Sequence, residues 1–352
     1  MTHLPSPTHH DVIVIGGGQT ALAVGYYLRR TGLSFVLLDD QEQPGGAWPH
    51  GWNSLRLFSP AQWSSLPGWL MPRGNDEYPS RDAVVAYLAA YEQRYALPIE
   101  RPVRAIAVHR HGGLLLVETS RGDLLARAVV SATGTWSSPV LPELPGADAF
   151  RGRQLHSAHY RFPGDFVGQR VIVVGAGNSA AQIVADLAES SHVTWATLAP
   201  PTYLPDEIDG RYLFEQESLR YAAIREGRAP PPQQSVGDIV MVEPVRRARD
   251  RGLLVPVPMF TAITADGARW PDGRESSADA IIWCTGFRPS LAHLAPLDLG
   301  ARIAVAGTRS LAQPRLWLVG YGDWTGFASA TLIGVGRTAR ATVAEIGEAL
   351  RG

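Results

Sequence analysis

Short apolar runs alternate with segments of helical spacing along this chain, and two of the runs open the same pattern. The first run, Val12–Ile15, passes through the glycine-rich turn 16–18 into a stretch with apolar residues at helical intervals. The second run, Val171–Val174, passes through the turn 175–177 into a similar stretch. A buried strand, a tight turn and a helix explain both patterns. The repetition predicts an α/β fold with two units of the same kind.

The rest of the chain divides around this repeat. The patterns predict a second strand ending at Asp39 and then, in order, a helix over 81–96, strands over 103–109, 114–119 and 124–131, helices over 211–226 and 243–251, strands over 279–286 and 315–321, and a terminal helix from about residue 329. The second unit interrupts the first in this interpretation. One domain then comprises residues 1–165 and 281–352, and the inserted domain comprises residues 166–280.

The two turns have the composition of a dinucleotide phosphate site. In each, the first glycine permits the turn, the second lets the backbone approach a pyrophosphate, and a small residue lets the helix pack on the strand. These positions are Gly16, Gly18 and Ala21 in the first unit and Gly175, Gly177 and Ala180 in the second. The diphosphate is expected on free N–H groups at the helix N-terminus. Asp39 lies where an acid accepts hydrogen bonds from a ribose, although an ordinary strand-end carboxylate is the alternative.

The composition narrows the class of protein. The chain has 352 residues, of which 45% are hydrophobic and 18% charged, and its formal net charge is −1. This balance fits a globular enzyme and indicates neither a nucleic-acid nor a membrane partner. Because Cys284 is the only cysteine, an internal disulfide and a Cys-x-x-Cys redox pair are both excluded. We find no cluster of metal ligands in the sequence, and we expect a cytoplasmic location.

Further motifs accompany the turns. Residues 150–160 have the spacing F-x-G-x-x-x-H-x-x-x-Y, in which His156 and Tyr160 are interpreted as hydrogen-bonding residues at the domain junction. Two strands end in similar triplets, at 132–134 and 284–286, whose small first residue lets the backbone approach a nucleotide. Cys284 is therefore interpreted as a small buried residue and not as a nucleophile. The remaining motifs are G-G-x-W at 45–48 and a strand followed by Gly322 and Asp323.

Together these motifs resemble those of the flavin-containing monooxygenases and the related Baeyer–Villiger monooxygenases, over about residues 11–340 and closest to the small bacterial members. The resemblance implies a flavoprotein with two dinucleotide-binding, Rossmann-like domains, in which the NAD(P)-binding domain is inserted into the FAD-binding one. It implies that NADPH or NADH reduces FAD and that O₂ then forms a C4a-(hydro)peroxyflavin. The expected substrates are small molecules: sulfides, amines and, by Baeyer–Villiger oxidation, ketones.

The resemblance also assigns site residues. Asp323 is expected to contact the ribityl chain of FAD, with a helix N-cap as the compatible alternative. The whole set of expected cofactor-binding residues comprises Gly16, Gly18, Gln19, Thr20, Ala21, Asp39, Gly46, Trp48, Val103, Ala132, Thr133, Gly134, Gly175, Gly177, Asn178, Ser179, Ala180, Thr197, Leu198, Thr285, Gly286 and Asp323. The expected catalytic residues, of which His156 is interpreted as structural, are Asn53, Phe58 and His156.

Two departures from the family's pattern bear on activity. Phe58 stands where larger members carry an asparagine near the flavin, and Asn53 is the alternative source of that amide. NADP-dependent members place an arginine just after the second strand of the inserted domain, where this chain has Thr197 and Leu198. Neither the cation for a 2′-phosphate nor the acid for a 2′-hydroxyl is present there. We therefore expect relaxed choice between NADH and NADPH.

Two other functions remain open from the sequence. One is an NAD(P)H reductase that passes electrons from FAD to a protein or a small acceptor. The other is a non-catalytic redox sensor that binds FAD but oxidises NAD(P)H negligibly. The four arginines of the 243–251 helix either form a solvated face, which we favour, or attract a phosphorylated cofactor. The expected partners are a small-molecule substrate and O₂, and a homodimer is left open.

Overall fold

The computed structural model describes residues 8–230, 238–326 and 328–351. Its strands are β1 (Thr8–Ile15), β2 (Phe35–Leu38), β3 (Ile99–Glu100), β4 (Ala105–His111), β5 (Leu114–Thr119), β6 (Leu124–Ser131), β7 (Arg153–His156), β8 (Arg170–Val174), β9 (His192–Thr197), β10 (Pro256–Pro258), β11 (Ala262–Thr264), β12 (Gly267–Arg269), β13 (Glu275–Ser277), β14 (Ala280–Trp283), β15 (Val305–Ala306), β16 (Arg309–Ser310) and β17 (Leu316–Leu318). Its α-helices are α1 (Gln19–Leu28), α2 (Arg81–Arg94), α3 (Asn178–Leu187), α4 (Gly210–Arg225), α5 (Glu243–Asp250) and α6 (Val335–Arg351).

The first sheet has a parallel centre with an antiparallel meander attached to it. Strands β17, β6, β1, β2 and β3 are neighbours in that order and run parallel. The predicted meander is confirmed, because β4 pairs with β5 and β5 with β6 in antiparallel register. Helix α1 packs against α6 on one face of this sheet. Apolar side chains of β1 and β6 point alternately into a core on each face.

The second sheet is entirely parallel, in the order β10, β9, β8, β14 and β7. Its central strands are apolar on both faces, as is typical of a parallel sheet covered on both sides. Helices α3 and α5 pack against each other beside it. A small antiparallel sheet, β11 to β13, lies between β10 and β14 in the chain. The predicted α/β architecture with two similar units is therefore what the structure has.

The second sheet includes strands that lie outside the expected boundaries of the inserted domain, 166–280. Strand β14 was expected to begin the return to the first domain at residue 281, and this expectation is wrong: β14 pairs with β7 and β8. Strand β7 also belongs to this sheet although it precedes residue 166. An apolar run predicts a strand but does not specify its partner, because strand pairing is non-local. The chain returns to the first sheet only at β15.

Helix α6 begins later than the expected residue 329. The residues before it form turns in which Ala328 has a φ of 51° and Thr331 Oγ1 accepts a hydrogen bond from the N–H of Gly334. The side chain of Ser329 turns back to the carbonyl of Gly322. Local side-chain contacts of this kind compete with helical hydrogen bonding and delay the start of a helix.

Candidate active site

The first glycine of each turn packs against the backbone that leaves a neighbouring strand. Gly16 and Gly175 have φ angles of 125° and 138°, which favour glycine. A Cβ on Gly16 would lie 2.5 Å from the carbonyl oxygen of Ala132, and one on Gly175 would lie 2.4 Å from that of Cys284. Each unit therefore has an equivalent close contact. It lies at the carboxyl ends of β1 and β6 in the first unit and of β8 and β14 in the second. In open parallel sheets, ligands bind at such strand ends.

Both turns leave the N-terminus of the following helix free for an anion. Gly18 and Gly177 occupy the N-cap positions of α1 and α3, with no side-chain cap and no acid in the first turn. By contrast, α2 and α4 are capped by the side chains of Ser80 and Asp209. The first turns of α1 and α3 thus have backbone N–H groups that donate to no side-chain cap. They include those of Gln19 and Thr20 in α1 and of Ser179 in α3. This arrangement fits the diphosphates of two dinucleotides.

The G-G-x-W loop lies directly on the first turn. Gly46 has a φ of 58°, and a Cβ there would lie 2.6 Å from Cα of Gly18. The indole Nε1 of Trp48 donates to Oε1 of Gln19 at 2.9 Å. The Gln19 amide in turn donates to the carbonyl of Ala330 at 2.7 Å. The structure thus brings Gly46, Trp48 and Gln19 together and uses the Gln19 side chain to hold the loop.

Asp39 lies beside the first turn, as expected, but its carboxylate has a protein partner that sequence reasoning missed. A Cβ on Gly17 would lie 2.0 Å from Oδ2 of Asp39. Arg101 Nε donates to the same oxygen at 2.6 Å, while its terminal nitrogens donate to both carboxylate oxygens of Glu92 at 3.0 and 2.9 Å. Burial raises the pKa of Asp39, and the Arg101 guanidinium opposes that shift. The N–H of Val103 donates to the Asp39 carbonyl.

The two triplets tie the crossover segments to each other. Thr133 Oγ1 donates to the carbonyl of Ser290 at 2.7 Å, and Thr285 Oγ1 donates to the carbonyl of Val140. Backbone bonds join the same segments, from the N–H of Val140 to Gly286 and from that of Ser290 to Gly134. Each threonine predicted to contact a cofactor therefore also fixes the opposite crossover.

Cys284 is the small residue of the second triplet. Burial raises the pKa of its thiol to about 12, and a hydrogen bond with Ser157 only partly offsets this effect. The thiolate is the reactive form of cysteine, so this side chain is inert near neutral pH. A Cβ on Gly175 would lie 3.0 Å from the Cys284 Cβ, so this small side chain packs against the second turn, which supports its interpretation as a packing residue.

The 150–160 motif contacts the second unit, while the residue that follows the motif bridges to the first. The His156 ring packs edge-on against the Phe287 ring, with 4.8 Å between the ring centroids. Its Nδ1 accepts a hydrogen bond from the N–H of Ala158. The Tyr160 hydroxyl donates to Asp186 at 2.7 Å. Burial lowers the pKa of His156, which therefore stays neutral near pH 7. The Tyr160 bond to Asp186 joins the two expected domains, as predicted, whereas the His156 ring bonds within its own segment.

Arg161 makes a further link, from the motif to the 50–53 segment. Its Nη1 donates to the carbonyl oxygens of His50, Ala158 and Tyr160. The Arg161 carbonyl accepts from the N–H of Asn53 at 2.8 Å. The sequence held one signal for this role, since Arg161 directly follows the motif.

The structure does not bring the two candidate catalytic side chains Asn53 and Phe58 together. Asn53 is exposed, and its amide oxygen accepts from Arg81 at 2.9 Å. The ring of Phe58 lies against Gly210 at the start of α4, where the Phe58 carbonyl accepts from the Gly210 N–H. Nearby tryptophans are spread over several environments: Trp52 lies near Tyr160, Trp63 near Phe214 and Trp69 near Tyr87.

In the second unit, the expected cofactor residues differ in exposure and in whether their side chains already have hydrogen-bond partners. The Asn178 side chain is used internally, since it donates to the Asp238 carbonyl and accepts from the Val240 N–H, both at 2.9 Å. At the end of β9, Thr197 is buried, whereas Leu198 is 92% exposed.

The arginines of α5 and the adjoining Arg251 are partly or fully exposed, and each has a protein partner. Arg247 pairs with Glu243, Arg249 with Asp206, and Arg251 with Glu189, and Arg246 donates to the backbone of Asp206. The favoured interpretation of these residues as a solvated helix face is therefore confirmed.

Asp323 lies in the 3₁₀ turn Gly322–Thr325, after the strand β17. It is not the N-cap of this turn, a position taken by Tyr321 without a side-chain cap. Its side chain is exposed and makes no hydrogen bond or ion pair within the described parts of the chain. The carboxylate is thus available to a ligand.

Comparison with known proteins agrees with this geometry. Residues 13–203 match the family model described as pyridine nucleotide-disulphide oxidoreductase. A flavin-containing monooxygenase from Stenotrophomonas maltophilia is 50% identical, with 97% of this chain and 99% of that chain covered and a TM-score of 0.89. The chain belongs to the flavin-containing monooxygenase superfamily. It is an oxidoreductase whose cofactors are FAD and NADPH.

More distant relatives of this monooxygenase have varied descriptions. An uncharacterized oxidoreductase, CzcO-like, from Geobacillus kaustophilus is 30% identical over 79% of this chain and 80% of its own length. The indole-3-pyruvate monooxygenase YUCCA1 from Oryza sativa subsp. japonica is 26% identical over 92% and 87%, respectively. No described helix of the enzyme is both long and apolar enough to cross a membrane.

Proposed function

We propose that the first turn of this monooxygenase binds FAD, that the second binds the nicotinamide cofactor, and that the enzyme transfers one oxygen atom of O₂ to soft nucleophiles such as sulfides and amines. Ketones are a second substrate class. The division into an FAD domain and an inserted NAD(P)H domain, with the second sheet as the core of the latter, is part of the proposal. The expected cytoplasmic location and homodimer stay predictions.

One observation carries this proposal: two uncapped dinucleotide turns occur in a chain without a redox-active thiol pair. The turns supply places for an electron donor and for a flavin. Cys284 is alone and has a thiol pKa of about 12, so the chain offers no thiol pair to receive electrons from the flavin. Oxygen is then the acceptor that the proposal assigns to the reduced enzyme.

The protein's part in the chemistry is binding and positioning. Bound FAD supplies the hydride acceptor and the reactivity toward O₂. The N–H groups before α1 and α3 would hold the two diphosphates, and Asp39 would accept hydrogen bonds from ribose hydroxyl groups. The hydrogen bonds of Thr133 and Thr285 between the crossovers would keep the two cofactor sites in register.

Product analysis with isotopic oxygen tests the proposed reaction. We expect that the FAD-loaded enzyme with NADPH and methyl phenyl sulfide under ¹⁸O₂ forms sulfoxide carrying one ¹⁸O atom, measured by mass spectrometry. Hydrogen peroxide, measured in parallel, gives the uncoupled fraction. NADPH oxidation that yields only hydrogen peroxide, or that requires an added electron acceptor, would favour the reductase instead.

Relaxed choice of nicotinamide follows from the end of β9. The exposed Leu198 offers a 2′-phosphate no charge, so kcat/KM for NADH and NADPH is expected to agree within about tenfold. Leu198→Arg adds a cation there, and we expect it to raise the NADPH-to-NADH ratio of kcat/KM by about tenfold or more. Leu198→Gln, long and polar but uncharged, is the matched control. An arginine variant with the ratio of the glutamine variant would exclude this position from selectivity.

A further inference from the structure

A buried hydroxyl group connects the turn that carries Asp323 to the end of β6. The Tyr321 side chain is 7% exposed, and its hydroxyl lies 2.6 Å from Ser131 Oγ and 2.8 Å from Thr133 Oγ1. Ser131 is the last residue of β6, and Thr133 belongs to the triplet that packs on the first turn. Burial raises the pKa of Tyr321, so the hydroxyl stays protonated and keeps its proton for these contacts.

The same two partners reach the second crossover. Ser131 Oγ lies 3.0 Å from Nε2 of His293, which is 6% exposed, and Thr133 Oγ1 donates to the Ser290 carbonyl at 2.7 Å. Burial lowers the pKa of His293 to about 4, so the ring is neutral near pH 7. Three segments that are distant in the chain, at 131–133, 290–293 and 321, thus meet in one hydrogen-bonded cluster.

The backbone of the Asp323 turn is held from its other side as well. Thr325 Oγ1 accepts from the N–H of Tyr321 at 3.0 Å, and Ser329 Oγ donates to the Gly322 carbonyl at 2.8 Å. The backbone is therefore fixed at Tyr321 and Gly322, while the Asp323 side chain is exposed. The turn presents one carboxylate on a braced backbone.

A buried polar cluster of this kind has to be explained. Each buried hydroxyl group costs free energy unless it is hydrogen-bonded, and a phenylalanine would fill the place of Tyr321 without that cost. Fully satisfied buried networks fix one arrangement of the segments that they join. Two of the segments joined here contain or adjoin an expected flavin contact: Thr133 lies in the first, and Asp323 follows Tyr321 by two residues.

We propose that Tyr321 is a positioning residue of the flavin site, whose hydroxyl group sets the place of Asp323 relative to Thr133 and the first turn. This inference rests on the proposed FAD site at the first turn and on the expected contact between Asp323 and FAD. The alternative is that Tyr321 stabilises the fold only. The two differ in one respect: a positioning role needs Asp323 to be present, whereas a stabilising role does not.

A double-mutant cycle on FAD affinity separates these roles. Apoprotein is titrated with FAD, and the dissociation constant is measured by flavin fluorescence for the wild type, Tyr321→Phe, Asp323→Ala and the double variant. We expect each single variant to weaken FAD binding by about tenfold, and Tyr321→Phe to have less than about twofold effect once Asp323 is absent. Tyr91→Phe is the matched control, because its buried hydroxyl donates to the Pro67 carbonyl at 2.6 Å in another part of the first domain.

The possible results are distinct. Additive losses in the cycle would overturn the positioning role while leaving Asp323 as a flavin contact. Unchanged affinity in Asp323→Ala would remove both that contact and the inference, and would leave the oxygenation reaction to its own test. Tyr321→Phe is expected to fold, because Ser131 keeps His293 and Thr133 keeps Ser290 as partners. If it does not, Ser131→Ala breaks the same contact from its other side and enters the cycle in its place.

Discussion

Gly175→Ala is expected to purify with FAD bound and to lose reduction of that FAD by NADPH at least about a hundredfold. The added Cβ would lie 2.4 Å from the Cys284 carbonyl oxygen, at a φ of 138° that L residues rarely adopt. The turn before α3 must therefore shift away from β14, and the N–H groups that would hold the diphosphate shift with it. Anaerobic stopped-flow spectroscopy of the bleaching of bound flavin by NADPH measures the effect.

Gly16→Ala is the matched variant in the other unit, with the same added atom and a similar clash of 2.5 Å with the Ala132 carbonyl oxygen. It is expected to purify largely without flavin, as measured by the ratio of absorbance at 450 and 280 nm. The pair thus assigns one cofactor to each turn. Loss of flavin from Gly175→Ala with retention in Gly16→Ala would reverse the assignment, and equal loss from both would indicate general unfolding.

Much of this site was predictable because its signals are local. The turn at Gly16, the turn at Gly175 and the strands that precede them follow from short sequence patterns, and the structure has them where they were predicted. A local pattern carries the backbone conformation, since glycine and small residues are required at particular positions. The position of Asp39 beside the first turn is predicted for the same reason.

What could not be predicted depends on contacts between distant residues. Arg101 meets Asp39 across 62 positions, and Tyr321 meets Ser131 across 190. The periodicity of the sequence around Arg101 or Tyr321 does not indicate which distant residue the side chain contacts. The misplacement of β14 has the same cause, because its four apolar residues are compatible with either sheet. Local patterns therefore give the elements and the turns, while the partners that fix the side chains come only from the structure.

Arg101→Met is expected to destabilise the fold strongly by breaking a buried ion pair beside the first turn. Arg101 and Asp39 have side chains that are 13% and 4% exposed, and Arg101 also pairs with Glu92. Removing one partner of a buried ion pair leaves an uncompensated buried charge, which costs about 3–5 kcal/mol. We expect a loss of this size in the free energy of unfolding of the apoprotein at pH 7.5, measured by urea denaturation, together with weakened FAD binding. Arg269→Met, which breaks an exposed pair with Glu275, should change little.

The pH dependence and an Asp39→Asn substitution together test whether Asp39 is responsible, since Arg101 also pairs with Glu92. Burial already raises the pKa of Asp39 in the folded protein, and loss of the Arg101 guanidinium raises it further. A carboxyl group whose pKa is higher in the folded state binds more protons there, so stability falls as pH rises through that range. The deficit of Arg101→Met should therefore be smaller at pH 5 than at pH 7.5, and Asp39→Asn in the same background should recover part of the stability at pH 7.5. If the loss in the free energy of unfolding of Arg101→Met is independent of pH, its cause is lost packing and not the charge of Asp39.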